Sequence, residues 1–134
     1  MRMAAEQGFN IIFAPFAASM MFGSLANAVA RFRELATAAG HPDVKAMCSY
    51  FTCIADTPAQ KRQAQERLLY YLTGTVEEVI RQFDQVEAAG VEEVICYFNF
   101  GLLPHAETVR QMERVAHEVM PHFAPAAEAA AVPA

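Results

Sequence analysis

The sequence predicts an α/β protein, an incomplete (β/α) unit of about three to four parallel strands with flanking helices. Three observations predict it. Residues 74–123 read as helix, strand, glycine-bearing loop and helix, with a residue-level signal at each junction. The strand inside that stretch, residues 91–100, carries a nearly continuous apolar run at 94–98, the pattern of a parallel strand covered on both faces. The strands that can be read number far fewer than the roughly eight needed to close a parallel barrel.

The elements follow in order. Residues 1–7 end a helix at Gly8, and 9–13 (FNIIF) make a short buried strand. Residues 14–23 (APFAASMMFG) read as a loop between a strand end and a helix start, where α/β proteins bind ligands. In a plainer reading, Phe16, Met20, Met21 and Phe22 of that loop pack on a neighbouring subunit. Ser24 caps the next helix, whose stripe is Leu25, Ala28, Val29, Phe32, Leu35 and Ala36. Arg31, Arg33 and Glu34 face water, and Gly40 ends the helix. His41 and Pro42 turn the chain into a strand at 45–55, expected to be buried on both faces.

Thr57, Pro58 and Gln60 start a helix that runs to about Leu72, with Ala64, Leu68, Leu69 and Tyr71 inward. Thr75 and Glu78 have capping-box spacing, and Val76, Val79, Ile80, Phe83 and Val86 recur at helical period before Gly90. After the strand at 91–100, Gly101 and Pro104 lead to a last helix on Ala106, Val109, Met112, Val115, Ala116 and Val119, which Pro121 stops. Residues 1–123 form the domain, and 124–134 are expected to be a disordered tail. Strict alternation then lacks one strand between Leu72 and Thr75, so sheet edges and an apolar face stay open.

Composition narrows the function. At 134 residues, 54% hydrophobic and 19% charged, the chain predicts one domain with apolar surface for a partner subunit to cover. A net charge of −5 argues against nucleic acid. Pro15, Ser19, Gly23, Ser24 and Asn27 interrupt the most apolar stretch, so no membrane span is expected. Three cysteines without CxxC, and no signal-peptide layout, fit a cytoplasmic protein. Cys48 and Cys53 point to opposite faces of one strand and cannot pair, and Cys96 reads as an inert small hydrophobe. His117 and His122 flank Glu118 without HExxH, so no metal site is expected. His105, in the loop before the last helix, is the catalytic candidate, beside the plainer reading of a surface helix start. Tyr50, Phe51, Tyr70, Tyr71 and the run 97–100 line either an apolar ligand cavity or the core and a subunit contact. GxSxG, P-loop and GxGxxG motifs are absent.

Several blocks together resemble one family. They are AAEQGF at 4–9, AAGH at 38–41, CSYFTCIADT at 48–57, GTVEEV at 74–79 and FGLLPHAETVRQMERVAHEVMPHF at 100–123. They are similar to the C-terminal part of the luciferase-like flavin-dependent monooxygenases, the TIM-barrel family of bacterial luciferase and alkanesulfonate monooxygenase. The resemblance covers nearly all of residues 4–123 and lacks the family's N-terminal half. It implies an FMN-dependent monooxygenase that uses reduced flavin and O2 on an aldehyde, sulfonate or similar substrate. It implies cofactor-facing positions at Ser49, on a strand, and at Ala14, Phe16, Asn99 and Gly101, past strand ends. It identifies no catalytic residue. The missing half implies a homo-oligomer, such as a dimer, or a separately encoded barrel half that completes the site. The alternatives are a structural or regulatory homo-oligomer, or a binder of small apolar molecules, that has lost flavin.

Overall fold

The computed structural model describes residues 1–67, 71–99 and 103–124. Helix α1 (Arg2–Glu6) leads to strand β1 (Ile11–Phe13), then α2 (Pro15–Phe22) and α3 (Leu25–Ala38). Strand β2 (Ala46–Ile54), α4 (Pro58–Arg67), β3 (Tyr71–Gly74), α5 (Val76–Ala88) and β4 (Glu93–Tyr97) follow. Helix α6 (His105–Arg114), a π-helical turn (Val115–Val119) and α7 (Met120–Phe123) complete the described chain. All pairings are parallel, and β2 is the hub, bonded to β1, β3 and β4. The α/β class, with four parallel strands, is the one expected.

The strand that the sequence reading found missing is β3. The helix expected to run to Leu72 gives way, and Tyr71–Gly74 pairs with β2 from Phe51↔Tyr71 to Ile54↔Gly74. Four residues are too few for periodicity to separate a strand from the end of a helix. Leu72 and Thr73 are buried; sheet pairing gives the backbone groups of Leu72 partners, and the Gln82 amide serves those of Thr73. The expected inward positions Leu68 and Leu69 lie outside the described residues, as do Tyr70, Phe100, Gly101 and the expected tail from residue 125.

Three other expectations change. Residues 14–23 are not a loop: Pro15 starts α2 at a position that needs no N–H, and Gly23, at φ 80°, ends it. Pro121 does not stop the last helix. The π-helical turn before it widens the backbone where the proline ring would meet the carbonyl one turn back, and α7 continues. Strand β4 is covered on one face only, since Glu93, Ile95 and Tyr97 are exposed while Val94 and Cys96 are half-buried. On β2, Ala46, Cys48, Thr52 and Ile54 are buried, and the opposite face is half-buried. Phe9 precedes β1 and is exposed.

The helix signals hold. Ser24 Oγ accepts from the Asn27 N–H at 3.0 Å. Thr75 and Glu78 form the complete capping box, and Thr57 and Gln60 bond reciprocally. Arg33 does not simply face water: it donates to the Val44 carbonyl and pairs with Glu92. One core gathers Phe13, Val29, Phe32, Ala46, Cys48, Val86 and Val91. A second joins Ile54, Val79, Val115 and Val119, with Phe83 and Phe98 against it.

Two glutamines finish the sheet. Lys45 and Ala55 lie in the same phase of β2; Lys45 accepts from Ile11 of β1, and Ala55 donates to Gly74 of β3. Ala46 and Ile54 lie in the opposite phase, and Ala46 accepts from Glu92 at the start of β4. Thus β1 and β3 border one edge of β2 and β4 the other. Pairing with β4 ends at Phe51. Beyond it the buried Gln111 accepts from the Ile54 N–H at 2.8 Å and donates to the Ile54 carbonyl at 3.1 Å. On β3, Gln82 does the same for Thr73, at 2.9 and 3.0 Å. Each amide stands in for a neighbouring strand, so these two edge positions are capped and not open as expected.

Candidate functional site

Two surfaces compete for a ligand. The first is the sheet face turned away from the main helix-packed core, together with the C-terminal strand ends. Register sets Ile12, Met47 and Glu93 in one row across it, Ser49 and Ile95 in the next, and Phe51 and Tyr97 in a third. Ile12 is 54% exposed, Ile95 37% and Tyr97 49%, while Met47, Ser49 and Phe51 are half-buried. The Phe51 and Tyr97 rings pack at 5.6 Å between centroids, tilted by 45°. The result is an apolar platform with the Ser49 hydroxyl near its middle.

The expected site residues distribute around this platform. Phe13 pairs with Cys48, so Ala14, one step on, is level with Ser49. Phe16 lies on α2, exposed. Asn99 is exposed two residues beyond the end of β4. His105 is the exposed first residue of α6. Gly101 lies outside the described residues. Ala14 and Ser49 therefore share a row, while Asn99 and His105 stand further along the strand direction.

Behind the strand ends lies a charged network that the sequence reading missed. Arg114 binds Glu118 at 2.7 Å and Asp56 at 2.6 Å, and Arg110 binds Glu107 at 2.8 Å and Asp56 at 3.4 Å. Glu107 also accepts from Gln111 at 3.0 Å. The pairs within α6 and its continuation were legible as spacings of three and four residues. Asp56, from the loop after β2, is joined only by the fold. Between α4 and α6, Glu107, Arg110 and Gln111 border a cavity of about 220 Å³, with Cys53, Gln60 and Leu103 also in its wall.

The Arg110 fork and the Gln111 amide hold the Glu107 carboxyl below the usual carboxylate range, and Arg114 does the same for Glu118. A carboxylate with a depressed pKa stabilises the fold above its unfolded pKa, and that contribution disappears as pH falls through the lower folded value. Stability is therefore expected to drop as pH falls below about 4.5. Urea midpoints measured across that range should show a shallower drop for Glu118→Gln than for the natural chain.

The thiols are quiet. Burial, with Cys96 adding to it, pushes the Cys48 thiol up to about 12, and burial raises Cys53 and Cys96 too. All three cysteines are free. No group of histidine, cysteine and carboxylate side chains able to hold a metal ion occurs among the described residues. No helix among them is long and apolar enough to cross a membrane.

The second surface is a groove of about 1690 Å³ on the helix side. Val94, Cys96 and Phe98 line its floor, Phe83 and Glu87 of α5 one wall, and Met112, Met120 and Phe123 the other.

The fold has a solved counterpart. The structure of the monooxygenase RslO1 from Streptomyces bottropensis superposes with a TM-score of 0.75 at 21% sequence identity, over 92% of this chain and 44% of that one. The fold is that of part of RslO1. This chain spans less than half the length of RslO1, as a partial barrel does. No protein-family profile matches the sequence, and no curated protein matches it.

Proposed function

We propose that this chain is a luciferase-like, flavin-dependent monooxygenase-type half-barrel whose site is completed by a second polypeptide. One observation carries the reading. The platform of Ile12, Met47, Ser49, Phe51, Ile95 and Tyr97 is open in a chain whose fold matches 44% of a monooxygenase. Four parallel strands are half of the number that closes such a barrel.

The residues present suit one part of FMN and not the other. A flat apolar face with an aromatic pair and one hydroxyl fits a planar ring that hydrogen-bonds at its rim. A phosphate needs uncommitted cations or a cradle of N–H groups. Lys61, Arg110 and Arg114 are each engaged by carboxylates, Glu78, Glu107, Asp56 and Glu118 among them. The second polypeptide therefore supplies the phosphate site. When bound, the flavin would supply the redox chemistry. This chain's part is to seat the ring and to keep water from it. The substrate is an aldehyde, a sulfonate or a similar small molecule.

The committed arginines also favour a second reading, a homo-oligomer of this fold that no longer takes flavin. Titration of purified protein with FMN, followed by flavin absorbance and fluorescence, separates the two. The first reading expects a perturbed flavin spectrum. Tyr97→Ala should weaken binding about two- to twelvefold, since aromatic stacking contributes roughly 0.5–1.5 kcal/mol. Protein that associates but leaves the flavin spectrum unchanged at millimolar FMN supports the second reading instead.

A further inference from the structure

We propose that α2 of one chain seats in the helix-side groove of a second copy, and that two such contacts, made reciprocally, form a dimer. The inference rests on the association proposed above and names its contact surface. Its test reads molecular mass rather than flavin, so either idea can fail while the other stands.

The inserted element is unusual for a surface. Helix α2 (PFAASMMF) contains no charged residue, and Met20 and Met21 are 71% and 76% exposed. The receiving surface is mainly apolar, with Met112 and Met120 51% and 60% exposed beside Phe83, Phe98 and Phe123, although Arg33, Glu87, Glu92, Glu93 and His117 line it too. At about 1690 Å³ the groove exceeds the roughly 300–1,000 Å³ of sites built for small molecules. An eight-residue helix, about 12 Å long and roughly 10 Å across, has a volume on the order of 1,000 Å³. Its free flank, half of that cylinder, presents roughly 200–250 Å². Two reciprocal contacts, counted on both partners, then bury about 1,000 Å², the lower end of what a specific interface needs.

The topology places the two surfaces suitably. Helix α2 leaves the end of β1, and β4 lies beneath the groove; β1 and β4 border opposite edges of β2. A two-fold axis along the strands brings the β1 side of one copy to the β4 side of the other, which is also how four strands and four strands would make eight. Docking through a helix suits a sheet whose positions at Ile54 and Thr73 are already capped by glutamines. A methionine-lined groove adapts readily to such an occupant.

The test uses the full chain in light scattering after size exclusion, at micromolar concentration. The natural chain is expected to be a dimer. A helix variant (Met20→Lys with Met21→Lys) and a groove variant (Met112→Lys with Met120→Lys) should each dimerise at least 100-fold more weakly. Mixed together they should associate more tightly than either does alone, though more weakly than the natural chain, because one of the two helix–groove contacts remains intact. Should lysine disturb folding, Met21→Cys and Met120→Cys chains, each also carrying Cys96→Ser to remove the groove's own thiol, offer a second measurement: mixed and oxidised, they should cross-link to a dimer that neither forms alone. A natural chain that is monomeric, variants that dimerise unchanged, or a mixture that associates no more tightly than either variant alone overturns the proposal. So does a monomer that becomes dimeric only on removing residues 125–134, which assigns the groove to the chain's own C-terminal segment.

Discussion

Gln111→Leu is expected to lower the free energy of unfolding by about 2–5 kcal/mol. The leucine fills a similar volume, but it strands the N–H and the C=O of Ile54, both of which Gln111 now satisfies. Gln111 is 3% exposed and Ile54 1%, so water does not reach the orphaned groups. Each buried unsatisfied backbone group costs about 1–3 kcal/mol. Gln82→Leu makes the same change at Thr73, where the amide is only half-buried. Thr73 is as buried as Ile54, at 1% exposed, but the side of β3 that Gln82 covers is the less buried of the two, so the loss should be somewhat smaller, about 1–3 kcal/mol. Urea denaturation followed by far-UV circular dichroism measures both. Losses below about 0.5 kcal/mol in both variants would mean that the glutamines are not acting as surrogate strands.

Gly74→Ala is the second large effect, with an expected loss of about 2–4 kcal/mol. Gly74 ends β3 at φ 147°, where an L side chain is strained. A Cβ there would lie 2.2 Å from Glu78 Oε2 and 2.8 Å from Glu78 Cβ. Glu78 must then move, and it cannot move without releasing the Thr75 N–H it caps at 2.9 Å and the Lys61 ammonium it binds at 2.8 Å. The substitution thus adds backbone strain to a broken capping box. Gly40→Ala is the control: φ is 86°, yet nothing lies within 4 Å of the added carbon. It should lose only about 1 kcal/mol. Thermal melts that rank the two alike would show that the crowding at Glu78 relaxes easily.

These positions mark what a sequence can carry. The sequence by itself determined the helix starts and the buried stripes. Ser24, Thr57 with Gln60, and Thr75 with Glu78 act on backbone groups within a few residues, so their spacing is their structure. The stripe of α3 was legible because Leu25, Ala28, Val29, Phe32 and Ala36 repeat over several turns. Strands long enough to show a pattern were legible for the same reason, and with them the α/β class.

Only the tertiary structure decided the rest. Strand β3 has four residues and owes its state to β2, which offers a row of partners that no local signal announces. Helix α2 owes its form to Pro15 and Gly23, in a composition that reads equally well as a loop. Gln111 meets Ile54 across 57 positions, and Asp56 meets Arg114 across 58. Of the residues expected to face a cofactor, register sets Ser49 and Ala14 in one row of an open platform, while His105 stands on a helix start further along. Local spacing encodes interactions that close within a turn or two, whereas a sheet edge, an ion-pair hub or a binding face joins residues whose separation along the chain carries no period to detect.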